Sequence, residues 1–498
     1  FGSQRPIYSD EVTSVYPSQK ATNKAEAFAN AQEVNLKLAE EGFVLLKNEN
    51  AALPMNKGAR ISVFSKNSVN LSYGGSGSGG FDTSNNKNLY ESLNDAGFVT
   101  NPTLKRFYES SQSGPVRTAN SSDLDNGDNQ KIATAETPQN KYTDAVKKSY
   151  ADYSDAALVV ITRIGGEGFD LPRYQGDSEG AVSPDSHYLE LDQNEIDLLT
   201  AVTDGTFKRV VVVFNTPSSF EATFLKDSAY AAFADKIDAA VWIGFTGSNG
   251  ITALGEILNG DVNPSGRLVD TYVHDNLSSA AMQNFGDYRY VNEDGSLSGY
   301  SYVNYAEGIY VGYKYYETRY EDAVMEQGNA SGNAGIFASK GDSWVYGEEV
   351  AYPFGYGMSY TTFEQALESV TYDAATDSFT VLVKVTNTGN VAGKEVVQVY
   401  GQQPYTEFDR ANAIEKASVQ LVGFGRTNVL QPGESETVSV TVDRKELTVY
   451  DEHVNKTYIL EAGDYYLSVG LDAHDAVNNI LAAKGYAPIA QETPAAEG

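Results

Sequence analysis

Short apolar segments alternate with segments of helical periodicity along the first half of this chain. Apolar runs of four to nine residues, rich in Val and Ile, are typical of strands that are buried on both faces of a parallel sheet. We predict strands at 42–46, 61–64, 156–164, 209–215 and 239–245, and helices at 25–41, 88–96, 143–149, 193–202 and 252–258. This alternation predicts an α/β fold, an α/β sandwich in which a mostly parallel sheet carries helices on both faces.

The pattern changes after about residue 363, where segments that alternate apolar and polar residues begin. Four such segments, at 378–387, 395–401, 435–442 and 464–470, are separated by turn sequences such as Asn387-Thr388-Gly389-Asn390. Alternation of this kind predicts an antiparallel β-sandwich. We therefore divide the chain into an irregular segment (1–24), an α/β domain (25–270), an irregular connector rich in Tyr and Gly that packs on it (271–362), the β-sandwich (363–486) and a linker (487–498).

Two stretches of the first 362 residues show little hydrophobic periodicity. The segment 101–142 is rich in Ser, Asn, Asp and Gly, and we predict a helix-plus-loop excursion that lies outside the core. The segment 271–362 is predicted to cover the sheet without regular structure of its own.

The charge balance narrows the class of ligand. Lys and Arg number 36 against 67 Asp and Glu, so the net charge of −31 repels nucleic acid and disfavours anionic membranes. A neutral substrate such as a sugar is compatible with this field, and 34 tyrosines suit either sugar stacking or β-sandwich packing. Cysteine is absent, which excludes disulfides, thiolate nucleophiles and Cys-ligated metals. The four histidines are scattered without metal-ligand spacing, so no metal and no cofactor is expected; they are His187, His274, His453 and His474.

A carboxylate flanked by glycines follows the predicted strand 156–164. Glu167 lies in the sequence Gly165-Gly166-Glu167-Gly168-Phe169-Asp170. Open α/β sheets bind ligands at the carboxyl ends of their strands, and the glycines leave backbone room for a substrate. An ordinary solvated turn carboxylate is the alternative, and the local pattern leaves both interpretations open.

A second glycine-rich segment, Gly75-Ser76-Gly77-Ser78-Gly79, follows the predicted strand 61–64. It has elements of a nucleophile elbow, but the residues after Gly79 start no convincing helix. It is also not a phosphate loop, because no Lys-Ser or Lys-Thr follows it. A flexible loop over a binding cleft and a mere tight connection both remain open.

Catalysis by a pair of carboxyl groups is the reaction chemistry that this composition permits most easily. A retaining glycosidase needs a protonated acid/base and an ionised nucleophile about 5–5.5 Å apart. Glu167 is a candidate acid/base, provided that burial or a neighbouring ionised nucleophile raises its pKa. Asp170 and Asp177 are nearby candidates for hydrogen bonds to sugar hydroxyls.

Five segments of the chain match motifs of a known protein family. They are Glu41-Gly42-Phe43-Val44-Leu45-Leu46-Lys47-Asn48-Glu49 with Leu53-Pro54, Gly260-Asp261-Val262-Asn263-Pro264-Ser265-Gly266-Arg267-Leu268, and the segments 307–316, 352–361 and 385–400. Over nearly its whole length the chain thus resembles the C-terminal portion of glycoside hydrolase family 3 β-glucosidases, including a fibronectin type III-like domain. The resemblance implies that Glu167 is the acid/base. In the family this Glu lies in a Glu-Gly-Tyr/Phe-Asp-Arg motif, whose Asp corresponds to Asp170. The Arg of the motif is replaced here by Leu171, with Arg173 two residues later.

The resemblance also implies a nucleophile from a (β/α)₈ barrel, whose Ser-Asp-Trp-type and Lys-His motifs do not occur in these 498 residues. The helical segment at 20–41 and the linker at 487–498 favour a family member in which the barrel follows this region, and the start at Phe1 indicates a processed or truncated product. We therefore predict the acid/base half of a retaining β-glucosidase-type hydrolase. Its substrate is a β-glucoside or oligosaccharide, contacted by Asp170, Arg173, Gly75, Ser76 and Ser78.

The alternative is a non-catalytic carbohydrate-binding or scaffold module with the same fold. For the β-sandwich we favour a packing role over a binding role. No run of 18 apolar residues occurs, so no membrane insertion of this chain is expected. A secreted or cell-surface bacterial location and a cytoplasmic one are both compatible with the sequence, as is a homo-oligomer.

Overall fold

The computed structural model describes residues 23–75, 77–117, 134–165, 167, 171–176, 179–226, 232–284, 288–305, 307–327 and 345–488. The helices in these ranges are α1 Lys24–Gly42, α2 Leu89–Asp95, α3 Pro102–Glu109, α4 Asp144–Ser149, α5 Gln193–Val202, α6 Ile251–Asn259, α7 Ala280–Gln283, α8 Tyr313–Met325, α9 Tyr346–Glu349, α10 Glu407–Ala411 and α11 Ala473–Ala483. The first nine strands are β1 Val44–Asn48, β2 Arg60–Phe64, β3 Val99–Thr100, β4 Ala156–Thr162, β5 Val210–Asn215, β6 Ala239–Trp242, β7 Tyr272–Val273, β8 Arg289–Val291 and β9 Leu297–Ser301. The remaining strands are β10 Val350–Tyr352, β11 Phe363–Asp373, β12 Ser378–Asn387, β13 Val396–Gln402, β14 Gln420–Arg426, β15 Ser435–Asp443, β16 Val449–Asp451, β17 Thr457–Ile459 and β18 Tyr466–Gly470.

A six-stranded sheet with the order β1-β6-β5-β4-β2-β3 forms the centre of the first half. Strands β2 to β6 run parallel, and only β1 pairs antiparallel, against β6. Every residue of β4 and β5 is buried, which explains why both read as continuous apolar runs. The predicted α/β fold with a mostly parallel sheet is confirmed.

Alternate residues of each central strand point to two separate apolar cores. In β4, Ala157, Val159 and Ile161 face one core, to which α3, α4 and α5 contribute. Ala156, Leu158 and Val160 face the other, which α2 and α6 complete. Because successive side chains of a strand point to opposite faces of the sheet, each face packs against its own layer of helices.

The prediction that 101–142 lies outside the core is wrong for its described parts. Asn101 caps helix α3, because its side chain accepts hydrogen bonds from the backbone N–H groups of Thr103 and Leu104. Leu104, Phe107 and Tyr108 are then buried in the sheet core, as is Tyr142. The apolar face of α3 was not predicted because most other residues of the segment are polar. The most polar part, 118–133, lies outside the described residues.

The prediction of an irregular connector at 271–362 is also wrong, because the segment contains the 13-residue helix α8 and the paired strands β7 and β10. Helix α8 packs with α11 and with strand residues of the C-terminal half, rather than only on the first sheet. Its buried positions are filled largely by tyrosines and charged residues, which show no apolar period. Tyr316 and Tyr320 place their hydroxyls within 3.0 and 2.8 Å of Ser278 Oγ and Asn478 Oδ1.

Two antiparallel three-stranded sheets, β11-β12-β15 and β14-β13-β18, form the C-terminal half. Valines from the two sheets make a shared core, so the predicted antiparallel β-sandwich is confirmed. Arg267 links the two halves of the chain, because it donates to the carbonyl of Gly357 at 2.6 Å and to Glu395 Oε1 at 2.5 Å. Glu41 forms further ion pairs with Lys394 and Arg426.

The two predicted end segments are mostly outside the described residues, at 1–22 and 489–498. The described part of the N-terminal segment begins at Asn23, whose side chain caps α1. No helix within the described ranges is long and apolar enough to cross a bilayer. The predicted domain boundaries remain predictions.

Candidate functional site

The loops that follow β2 and β4 meet at the carboxyl edge of the parallel sheet. Glu167, in the loop after β4, is exposed and accepts hydrogen bonds from the backbone N–H and the Oγ of Ser78, both at 2.5 Å. Ser78 belongs to the glycine-rich segment after β2. The structure thus brings together two predicted site residues that are 89 positions apart along the chain.

The pKa of Glu167 is lowered by the hydrogen bonds that its carboxylate accepts from the Ser78 side chain and backbone. The acid/base role predicted for Glu167 requires a raised pKa. The direction differs because Glu167 is exposed in this chain and hydrogen bonds to the charged form favour ionisation. In the 498-residue chain, Glu167 is therefore a carboxylate, and an acid role needs a further group that favours its protonation.

Asn215, at the end of β5, fixes the glycine-rich loop to the sheet. Its side chain accepts from the Ser72 N–H at 2.7 Å and donates to the Ser72 carbonyl at 2.9 Å and the Gly244 carbonyl at 2.7 Å. Gly75 follows within contact range of the sheet edge, since a Cβ there would lie 3.8 Å from Phe245 Cε2. Asn215 was not predicted from the sequence, although a polar residue that ends a buried strand was the available signal.

Arg163, directly after β4 and four residues before Glu167, is fully buried. Its guanidinium makes two hydrogen bonds of 2.8 Å to the two carboxylate oxygens of Glu195. It also donates to the backbone carbonyls of Tyr188 at 2.8 Å and Glu190 at 2.5 Å. Arg163 therefore ties the end of β4 to the segment that returns into α5, and it holds both ends of the loop that carries Glu167.

The remaining predicted site residues are placed as follows. Arg173 lies beside Tyr174, with its guanidinium carbon 5.4 Å from the ring centroid, and its backbone carbonyl accepts from the Tyr188 N–H at 3.2 Å. Leu171, which replaces the Arg typical of the motif, packs against Gly165, where a Cβ would lie 2.9 Å from Leu171 Cδ2. Asp170, Asp177 and Ser76 are outside the described residues.

His187 lies in the same β4–α5 connection as Glu167 and is buried. Burial, then the charges of Arg173 and Arg163, lowers its pKa to about 4. The imidazole is consequently neutral at pH 7, and its Nδ1 lies 3.4 Å from Glu221 Oε1. Within the ranges that the structure covers, no group of His, Asp and Glu side chains is arranged to hold a metal ion.

Two further buried acids lie close to the pair of Arg163 and Glu195. Burial raises the pKa of Glu136 to about 8, and the charges of Glu195 and Asp192 add to this effect. Burial and the charge of Glu195 likewise raise the pKa of Asp192 to about 7, against the opposing effect of Arg163. The layer beneath the site therefore holds carboxyl groups that keep their protons close to neutral pH.

We expect Glu136→Gln to flatten the pH dependence of stability above pH 5. A carboxyl whose pKa is raised from 4.5 to about 8 contributes stability that is fully present below pH 4.5 and is lost as the pH rises through 8. The loss is of the order of a few kcal/mol, since one pKa unit corresponds to about 1.4 kcal/mol. Urea unfolding at pH 5 and pH 8.5 measures it. Glu364→Gln, at an exposed position, is the control, and an equally steep pH dependence in both variants would contradict the expectation.

Residues 43–313 match the family described as "Glycosyl hydrolase family 3 C-terminal domain", and residues 395–473 match the family described as "Fibronectin type III-like domain". Beta-glucosidase A of Butyrivibrio fibrisolvens is 30% identical over 474 residues, which cover 89% of this chain and 50% of that protein. The beta-glucosidase of Ruminococcus albus is 29% identical over 458 residues, which cover 91% of this chain and 40% of that protein. The chain thus spans half or less of the length of these curated relatives.

Solved structures of beta-glucosidases share the fold. The beta-glucosidase of Paenibacillus barengoltzii aligns with a TM-score of 0.66 and 29% identity over 90% of this chain and 42% of that one. Beta-glucosidase 3B of Thermotoga neapolitana, solved in complex with glucose, aligns with a TM-score of 0.66 and 27% identity over 90% of this chain and 53% of that one. The family 3 match covers more than half of the chain and agrees with these relatives, so the chain belongs to glycoside hydrolase family 3.

Proposed function

We propose that this chain supplies the general acid/base of a retaining β-glucosidase-type hydrolase, and that Glu167 is this residue. The observation that carries the proposal is the contact between Glu167 and Ser78, which places an exposed, oriented carboxylate where two loops meet at the carboxyl edge of the sheet. Membership of glycoside hydrolase family 3 supports the reaction class. Relatives that bear the name beta-glucosidase support the substrate class.

In the first step, Glu167 gives its proton to the glycosidic oxygen as the bond to the sugar breaks and a nucleophilic carboxylate attacks the anomeric carbon. In the second step, Glu167 takes a proton from the water that hydrolyses the glycosyl-enzyme. Both Ser78 hydrogen bonds fall on Oε2, so the acid form would carry its proton on Oε1. An ionised nucleophile about 5.5 Å away would raise the pKa of Glu167, against the lowering effect of Ser78.

We propose that the nucleophile is an Asp of a (β/α)₈ barrel outside these 498 residues. The exposure of Glu167 supports a site that is completed by a second domain, because a carboxylate this accessible does not yet exclude water from the reaction. The glycine-rich loop, with Gly75, Ser76 and Ser78, and the residues Asp170 and Arg173 would contact the sugar between the two domains.

A non-catalytic carbohydrate-binding or scaffold role is the second candidate. The observation in its favour is the lowered pKa of Glu167, since a carboxylate that stays ionised cannot act as an acid. The two candidates differ in their chemistry and not in their fold. Rate measurements therefore separate them.

The test compares hydrolysis of 4-nitrophenyl β-D-glucoside by the purified 498-residue chain alone and together with the barrel polypeptide. We expect no turnover by the chain alone and turnover by the complete site, because each half supplies one of the two carboxyl groups. Robust turnover by the chain alone that a substitution within residues 1–498 abolishes would show that the nucleophile lies in this chain. No turnover by the complete site would favour the non-catalytic role.

A further inference from the structure

A cavity of about 420 Å³ lies in the C-terminal half, between α8, the segments that follow β13 and α11, and the start of β18. None of the residues that line it belongs to the loops that carry Glu167 and Ser78. Its volume is within the range of small-molecule sites. Six of its side chains are tyrosines or glutamines, namely Tyr405, Tyr466, Tyr486, Gln327, Gln402 and Gln403.

The buried charges in this cavity are already paired with one another. Lys416 donates to Asp409 Oδ2 at 2.8 Å and also forms an ion pair with Glu461. Lys484 and the Gln402 amide both donate to Glu321 Oε1, at 2.6 and 2.9 Å. A charged ligand would have to break these pairs, whereas a neutral one would not.

The aromatic rings are held by neighbouring cations. The guanidinium carbon of Arg410 lies 4.6 Å from the centroid of the Tyr405 ring, and Lys484 Nζ lies 5.5 Å from that of Tyr466. A cation over the face of an aromatic ring is attracted by the ring quadrupole, so these contacts favour the ring positions seen at the cavity wall. The exposed side chain of Tyr486 adds a third ring from a different segment of the chain.

Ser418 supplies a further polar group at the wall of this cavity. The residue is 3% exposed, and its hydroxyl has no hydrogen-bond partner within the part of the chain that the structure describes. A buried hydroxyl without a partner costs free energy, which a ligand that donates or accepts a hydrogen bond would recover. The glutamine amides provide both donors and acceptors nearby.

We propose that this cavity binds a short neutral oligosaccharide, separately from the site at Glu167. Sugars combine apolar ring faces, which stack on tyrosine, with hydroxyl groups that both donate and accept hydrogen bonds. A cavity whose buried charges are paired and whose walls carry tyrosine and glutamine matches that chemistry. Binding here would keep a glycan chain close to the enzyme and raise its effective concentration at the reaction site.

Calorimetric titration of the 498-residue chain with cellotetraose, laminaritetraose and xylotetraose tests this proposal. We expect at least one of them to bind, and Tyr405→Ala and Tyr486→Ala each to weaken binding about 10-fold or more. Tyr458→Ala, which removes a tyrosine that is 69% exposed on β17 outside the cavity, should bind as the unmodified chain does. Thermal unfolding of each variant confirms that it is folded.

Absence of binding by all three tetrasaccharides would overturn the proposal. Equal affinity in the folded Tyr405→Ala and Tyr486→Ala variants would also overturn it, because the glycan would then bind elsewhere. Glu167→Gln separates this site from the proposed catalytic one. We expect that variant to keep its glycan affinity even where hydrolysis by the complete site is lost, whereas a parallel loss of both would assign the binding to the Glu167 site.

Discussion

Glu167→Ala is expected to lower the hydrolysis of cellobiose by the complete, barrel-containing enzyme by about 1000-fold. General acid/base catalysis contributes roughly 10²- to 10⁴-fold, and a glucose leaving group depends fully on protonation. Hydrolysis of 2,4-dinitrophenyl β-D-glucoside should fall much less in its first step, because that leaving group departs without a proton. Added azide should partly restore turnover of the aryl glucoside, since it attacks the glycosyl-enzyme without the help of a base.

Glu179→Ala is the matched control for this experiment. Glu179 is an exposed glutamate in the same connection between β4 and α5, so its removal changes the charge of the loop equally. It should leave both substrates unaffected. A loss of the same size on cellobiose and on the aryl glucoside, with no effect of azide, would show that Glu167 shapes the site without transferring a proton.

Arg163→Met should lower the free energy of unfolding of the 498-residue chain by about 3–5 kcal/mol, the usual cost of removing one partner of a buried ion pair. Glu195, itself 3% exposed, would then keep a buried carboxylate without its cation. The carbonyls of Tyr188 and Glu190 would also lose a donor. Urea unfolding followed by far-ultraviolet circular dichroism measures the shift in the transition of the α/β half.

Two further variants show whether this effect comes from the buried charge. Arg163→Met combined with Glu195→Leu should recover part of the loss, because no unpaired charge is left. Arg444→Met removes the exposed ion pair with Asp377 and should change stability little. If Arg163→Met lowered the free energy of unfolding as little as Arg444→Met, the contacts of Arg163 would not hold the two ends of the Glu167 loop together as proposed.

The sheet could be predicted from the sequence because its strands are buried on both faces. Strands β4 and β5 differ from their predicted bounds by two residues or fewer at each end, since apolar residues fill nearly every position. Helix α8 could not be predicted in this way. Its buried face consists of tyrosines and ion-paired residues such as Glu317, which bonds to His474 across the interface at 2.9 Å, and hydrophobic periodicity does not register such positions.

The candidate site was predicted in its exposed part and missed in its buried part. Glu167 and Ser78 stand out because glycines surround them at the ends of apolar runs. Arg163 and Glu195 act through contacts with residues distant in sequence, which no local pattern reveals. Asn215 was missed for a different reason, because its only local signal is its place at the end of a buried strand. The roles of Glu167 and Ser78 in catalysis, together with those of Gly75, Ser76, Asp170 and Arg173, remain predictions.

The position of β1 has a consequence for synthesis on the ribosome. β1 is the first strand of the sheet in the sequence, yet it pairs with β6, almost 200 residues later. At translation rates of about 5–20 residues per second, its partner emerges roughly 10–40 s after it. During that interval Val44, Leu45 and Leu46, all buried in the finished fold, form an unpaired apolar segment that invites aggregation. We therefore expect a chaperone that shields this segment to raise the yield of the nascent protein.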